Sequence, residues 1–196
     1  KGDYVRSFSP DLKLDAAGNG LVIWAKNGAL MSRRFANEGY FDQIKKLNTG
    51  NMATSHAISP KLVMNSKGEA LVAWLEVNPI NLETNVQALR YSNNNGDPIW
   101  SDETKINIDS SGVSYAIGPI FPELSISIDE EGNSTAVWTH MKTNDKNKTI
   151  YSLRFNYLPF NSFWIGEGKI LSSQTNIQSP SLVSTLTEKH QQRFYV

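Results

Sequence analysis

One motif, written three times, constrains this chain more than any other feature. Leu14-Asp15-Ala16-Ala17-Gly18 leads to Trp24, Met64-Asn65-Ser66-Lys67-Gly68 leads to Trp74, and Ile128-Asp129-Glu130-Glu131-Gly132 leads to Trp138. Each copy reads as a strand end, a polar turn closed by glycine, and an apolar strand ending in tryptophan. Glycine supplies the positive φ that such a turn needs. Ahead of the turn, Leu12 and Leu14, Leu62 and Met64, and Leu124, Ile126 and Ile128 alternate with polar residues, the period of a strand with one face buried. After it, Leu21–Trp24, Leu71–Trp74 and Thr135–Trp138 are almost wholly apolar, as in a strand covered on both faces.

Two more strands follow in each unit. The third is Leu30–Phe35, Val86–Tyr91 and Ile150–Phe155, and each carries an Arg-aromatic pair. The fourth joins an aromatic to a later Lys-aliphatic pair: Phe41 with Lys46-Leu47, Trp100 with Lys105-Ile106, Trp164 with Lys169-Ile170. Four strands repeating at ~40–50 residues are the sequence sign of a β-propeller. A β-sandwich is the alternative, but it has no need for the same Trp, Arg-aromatic and Lys-aliphatic pattern in every unit. The expected fold is therefore all-β: a propeller of four-stranded antiparallel blades in one domain over 1–196. Blades fall at about 10–59, 60–121 and 122–179, with a partial fourth at 180–196. Such a set fits inside a larger ring, or closes with another chain. Units open on Pro10, Pro60, Pro122 and Pro180, expected at strand starts where no ladder hydrogen bond is lost. Tyr4–Phe8 reads as a short strand of its own.

The phrase Leu-Asp-x-x-Gly-Asn-x-(apolar)-x-Trp resembles a family of bacterial β-propeller repeats found in exported proteins, lipoproteins and large surface proteins. Leu14, Asp15, Gly18, Asn19 and Trp24 carry it, and again Ile128, Asp129, Gly132, Asn133 and Trp138; the middle copy departs, with Asn65 and Glu69. The resemblance implies a propeller fold and an extracytoplasmic bacterial location, and brings no catalytic residues with it. Ser92–Trp100 also resembles the Asp box of sialidase-type propellers, with its Trp one place late and Asn94 in place of the acid. That box is structural, so it points to fold and not to hydrolysis.

Nineteen basic residues balance nineteen acidic ones, which gives no electrostatic reason to expect a nucleic-acid partner. No run reaches the ~20 apolar residues of a membrane span. Cysteine is absent, which excludes disulfides and thiolate chemistry. His56, His140 and His190 are far apart and form no ligand pair, so no metal or other cofactor is expected. Arg34, Arg90 and Arg154 invite comparison with a catalytic arginine triad, but a residue that follows the repeat is expected to pack blades together. Trp24, Trp74 and Trp138 are likewise expected in the core rather than in a sugar-stacking row.

Loop lengths point to one face. The turns between first and second strands are tight, whereas Leu75–Asn85, Thr139–Thr149 and Asn107–Phe121 are long. Both long connections leave a four-stranded blade on the same side, so the expected binding face carries Glu76, Asn78, Glu83, Asp109, Tyr115, His140 and Asp145. The favoured function is a non-enzymatic binding or scaffold module taking a protein or glycan on that face. Two alternatives stand beside it. One is a subunit of a larger surface or envelope assembly, paired with another chain at the incomplete last blade. The other is a sialidase-like glycoside hydrolase, which needs two of Glu76, Glu83, Asp109 and Asp145 facing each other across a cleft.

Overall fold

The structure is a computed structural model. It describes residues 7–50, 55–81, 83–94, 97–106, 114–115, 123–143, 149–159, 162, 164, 169–174, 183–185 and 193–195. Among these there are strands and turns and no helix. The first sheet is β1 (Ser7–Leu14), β2 (Gly20–Lys26), β3 (Ala29–Phe35) and β4 (Lys45–Lys46), in that order. The second runs β5 (His56–Met64), β6 (Ala70–Val77) and β7 (Glu83–Asn94). On the outer side of β7 lie three short pieces, β8 (Asp97–Trp100), β9 (Thr104–Lys105) and β10 (Ser114–Tyr115). The third is β11 (Leu124–Ile128), β12 (Ser134–Thr143), β13 (Thr149–Leu158) and β14 (Lys169–Gln174). A last pair, β15 (Val183–Thr185) and β16 (Arg193–Tyr195), completes the chain. Every pairing is antiparallel.

The three tight turns are built alike. Asp15 Oδ1 accepts from the Ala17 and Asn19 amides, both at 2.9 Å, and Asn19 Nδ2 donates to Asp15 Oδ2 at 2.9 Å. Asp129 repeats this with Glu131, Asn133 and the Asn133 side chain. Gly18, Gly68 and Gly132 sit at φ 82°, 82° and 81°, which only glycine adopts without strain. In the middle turn the donor and acceptor are exchanged: Asn65 Nδ2 donates to Glu69 Oε2 at 2.7 Å. The exchange has a consequence between sheets, because the same Nδ2 also donates to the Asp129 carbonyl at 3.1 Å. An aspartate has no hydrogen to give there. The Ala16 amide reaches the Ser66 carbonyl at 3.0 Å, so the turns of all three sheets are joined in a row.

The sheets pack face to face in series. Alternation along β6 sends Ala70, Val72 and Trp74 to one side and Leu71, Ala73 and Leu75 to the other. The first set joins Leu21, Ile23 and Leu30 of the first sheet in one core; the second joins Leu124, Ile126, Ala136 and Trp138 of the third in another. Trp74 and Trp138 therefore do the same thing: each packs against the preceding sheet, at 0% and 1% exposure. Trp24 points to the matching side of the first sheet and is only half-buried. Leu12 and Leu14 beside it are 50% and 55% exposed, whereas their counterpart Leu62 is 1% exposed. Placing all three tryptophans in the core thus holds for two of them; among the described residues no sheet lies against the face that carries Trp24.

Three further expectations need correction. Pro10 and Pro60 lie inside β1 and β5, not at their starts. Both fall where the register shifts, between Phe8 and Asp11 and between Ile58 and Lys61, and Ser59 has φ 49°. A bulge frees a residue from the ladder, which is why proline is tolerated there. Ser7 and Phe8 belong to β1 itself, pairing with Lys26 and Ala25; Tyr4–Arg6 lie outside the described residues. The third arginine is not in the position of the other two. Arg34 and Arg90 pair with Leu21 and Leu71, three residues before their tryptophans, but Arg154 pairs with Trp138 itself and so faces the opposite way. The residue of β13 at the Arg34/Arg90 position is Tyr157, opposite Thr135.

Candidate functional site

Of the long connections, residues 82, 107–113, 116–121 and 144–148 lie outside the described residues. The Ala57 amide donates to the Gly28 carbonyl at 2.8 Å, and Asn48 Oδ1 accepts from the Leu30 amide at 2.9 Å. These bonds bring Asn48 and Ala57 to the β2–β3 turn, at the end opposite the tight turns. There the structure gathers some of the expected residues and separates others. The Asn78 amide donates to the Glu83 carbonyl at 2.8 Å, and Glu83 is the cross-strand partner of Tyr115. The backbone thus makes neighbours of Asn78, Glu83 and Tyr115. His140 falls two residues beyond Trp138, opposite Ser152, and matches Glu76, two beyond Trp74. Asp109 and Asp145 lie outside the described residues.

Glu76 is not on the surface of this face. It is 8% exposed and turned into the packing between the first two sheets, where Trp74 Nε1 donates to its Oε2 at 2.5 Å. Desolvation raises its pKa above the usual carboxylate value, and the charge of Glu103 adds to this; the Trp74 and Asn48 side chains and Lys46 work the other way. A carboxyl with a raised pKa near a second carboxylate is the arrangement that acid–base catalysis uses. Here the oxygens are held by an indole and an amide inside a core, and Glu103 is occupied by the Thr49 amide and hydroxyl at 2.7 and 2.6 Å. The pair ties the first sheet's exit to the second sheet.

Of the two comparable arginines, Arg90 is a clamp between sheets. Its Nη2 donates to the carbonyls of Gly132 at 2.5 Å and Leu158 at 3.2 Å in the third sheet. Arg34 lines an open groove of about 730 Å³ on the outer rim, between β3–β4 of the first sheet and Tyr91 and Trp100 of the second. The sequence reading passed over this groove. Its signal was the run Arg33-Arg34 and Lys45-Lys46, hidden by a net charge of zero and by treating the arginines as packing residues.

Among the described residues no group of three His, Cys, Asp or Glu side chains is placed to hold a metal ion. No helix among them is long and apolar enough to cross a membrane. Compared with models of known protein families and with curated protein sequences, the chain matches none.

Proposed function

We propose that this chain is a non-enzymatic binding and scaffold module built on the β-propeller plan, of the exported bacterial kind its repeats resemble, and that it takes a protein or glycan at the long-loop end. The observation that carries the reading is the repeated packing: Trp74 and Trp138 hold the same position, each against the preceding sheet. A series of sheets related in that way is what a propeller requires of its blades. The backbone pairing of Glu83 with Tyr115, and of Asn78 with Glu83, brings polar and aromatic residue types together in the chain's loops, which suits recognition. Burial of Glu76 weighs against hydrolysis.

A glycan array and a pull-down, run with the whole chain and with Asn78→Ala/Glu83→Ala, test this. The expected result is a ligand whose binding the double substitution weakens. Turnover of a glycan, or a ligand indifferent to the substitution, refutes it.

The assembly reading has one observation of its own in the apolar side of the first sheet. Leu12, Leu14 and Trp24 there have the exposure of a surface and the composition of a core. On the propeller plan a further sheet belongs against them. Placing a duplicate of residues 7–50 ahead of the chain is expected to shift Trp24 emission to the blue and cut its iodide quenching, measured as the difference from Trp24→Phe. Unchanged quenching would count against stacked blades.

A further inference from the structure

The rim groove carries a charge imbalance that the whole chain does not. Arg33, Arg34, Lys45 and Lys46 line it, with Asp42 as the one carboxylate among its lining residues. The cause is local. The strand β4 is only two residues long, and between it and β3 the chain bulges out through Asn37–Ile44, touching β3 again at the Phe35–Phe41 bridge. The outer edge of the first sheet is therefore open; Arg34, paired with Leu21, faces the second sheet, whereas Arg33, paired with Val22, reaches the groove from the other face of β3.

Several of those cations are already held in place. The Arg33 guanidinium lies 4.8 Å from the Phe41 ring centroid, and its Nε donates to the Asp42 carbonyl at 2.9 Å. Lys46 Nζ donates to the Gly50 carbonyl at 2.7 Å. Fixed heads lose little freedom when a ligand arrives. Arg34 Nη1 and Asp42 Oδ2 are 3.9 Å apart. On the far wall Trp100 packs on Tyr91 with ring centroids 5.0 Å apart and stays half-buried; Lys45 Nζ lies over its ring, 5.9 Å from the centroid.

We propose that this groove binds an acidic saccharide, a short chain of uronate sugars. Guanidinium and ammonium groups take the carboxylates, the guanidinium in a two-pronged fit. The Trp100 ring packs on the apolar face of a pyranose, and the volume lies within the range of small-ligand sites. A nucleic acid fits less well, since the cations form one patch between two sheets instead of a stripe along which a phosphate backbone could run. The groove lies on the rim, away from Asn78 and Glu83, so the proposal stands or falls separately from binding at the long-loop end.

Isothermal titration of the whole chain with tetragalacturonate, with maltotetraose as the neutral control and octathymidylate as the nucleic-acid control, decides it. Tetragalacturonate is expected to bind, to weaken as salt is raised, and to lose about tenfold or more in affinity with Lys45→Gln/Lys46→Gln. Both lysines are exposed, so the variant is expected to keep its fold by circular dichroism, and Arg34→Lys, which keeps the charge but not the two-pronged donor, provides a second, independent loss. No binding of tetragalacturonate, equal binding of maltotetraose, tighter binding of octathymidylate, or full affinity in both variants overturns the proposal.

Discussion

Two tryptophans in matching positions offer a comparison that separates packing from hydrogen bonding. Trp74 and Trp138 are both fully buried against the preceding sheet, so replacing either with Phe removes a similar volume. Their indole nitrogens differ. Trp74 Nε1 donates to Glu76 at 2.5 Å; Trp138 Nε1 is buried and has no partner among the described residues. Trp138→Phe therefore loses packing alone, about 1–2 kcal/mol, and gains slightly from removing an unsatisfied donor. Trp74→Phe loses similar packing and also a hydrogen bond to a charged group, worth about 1.5–3 kcal/mol more. That surplus depends on pH. The indole bond favours the ionised carboxyl, so the loss is full where Glu76 is ionised and shrinks as acid protonates it. Urea denaturation of both variants at neutral pH and near pH 4 measures the difference. Equal penalties at neutral pH, or a Trp74→Phe penalty that does not fall in acid, would refute the reasoning.

Three other outcomes are expected. Glu76 has a raised pKa in the folded state, so its protonated form favours folding and this contribution is lost as pH rises through the raised value; Glu76→Gln should flatten the decline in stability above about pH 4.5, read from denaturant midpoints across pH. Trp74→Ala should cost ~3–5 kcal/mol and Trp24→Ala about half that or less, because Trp24 is only half-buried; equal losses would mean that its outer face is covered. Asn65→Asp should cost about 1–3 kcal/mol by setting a carboxylate against Glu69 and silencing the bond to Asp129; adding Glu69→Asn should recover about 1 kcal/mol but not all, since the cross-sheet donor stays lost, and a double-mutant cycle reads the coupling.

The alternation of Leu62 and Met64, the glycine-closed turns and the apolar run Leu71–Trp74 were enough to mark strands and their order, because period, φ and burial are local consequences of residue type. Register was not legible. An Arg-aromatic pair looks identical in Arg34-Phe35, Arg90-Tyr91 and Arg154-Phe155, yet the third is set three places off, since hydrogen-bond pairing across two strands depends on the connection between them and not on either strand alone. Burial of Glu76 was also beyond the sequence, since a carboxylate after Trp74 reads as polar and exposed until Asn48, eighteen residues past Leu30, is seen to close over it. The rim groove needed the same information: Arg34 and Trp100 are 66 positions apart, and only the packing of one sheet on the next puts them on facing walls. What one strand demands of its own side chains was written in the chain; which sheet edge meets which was decided by the packing.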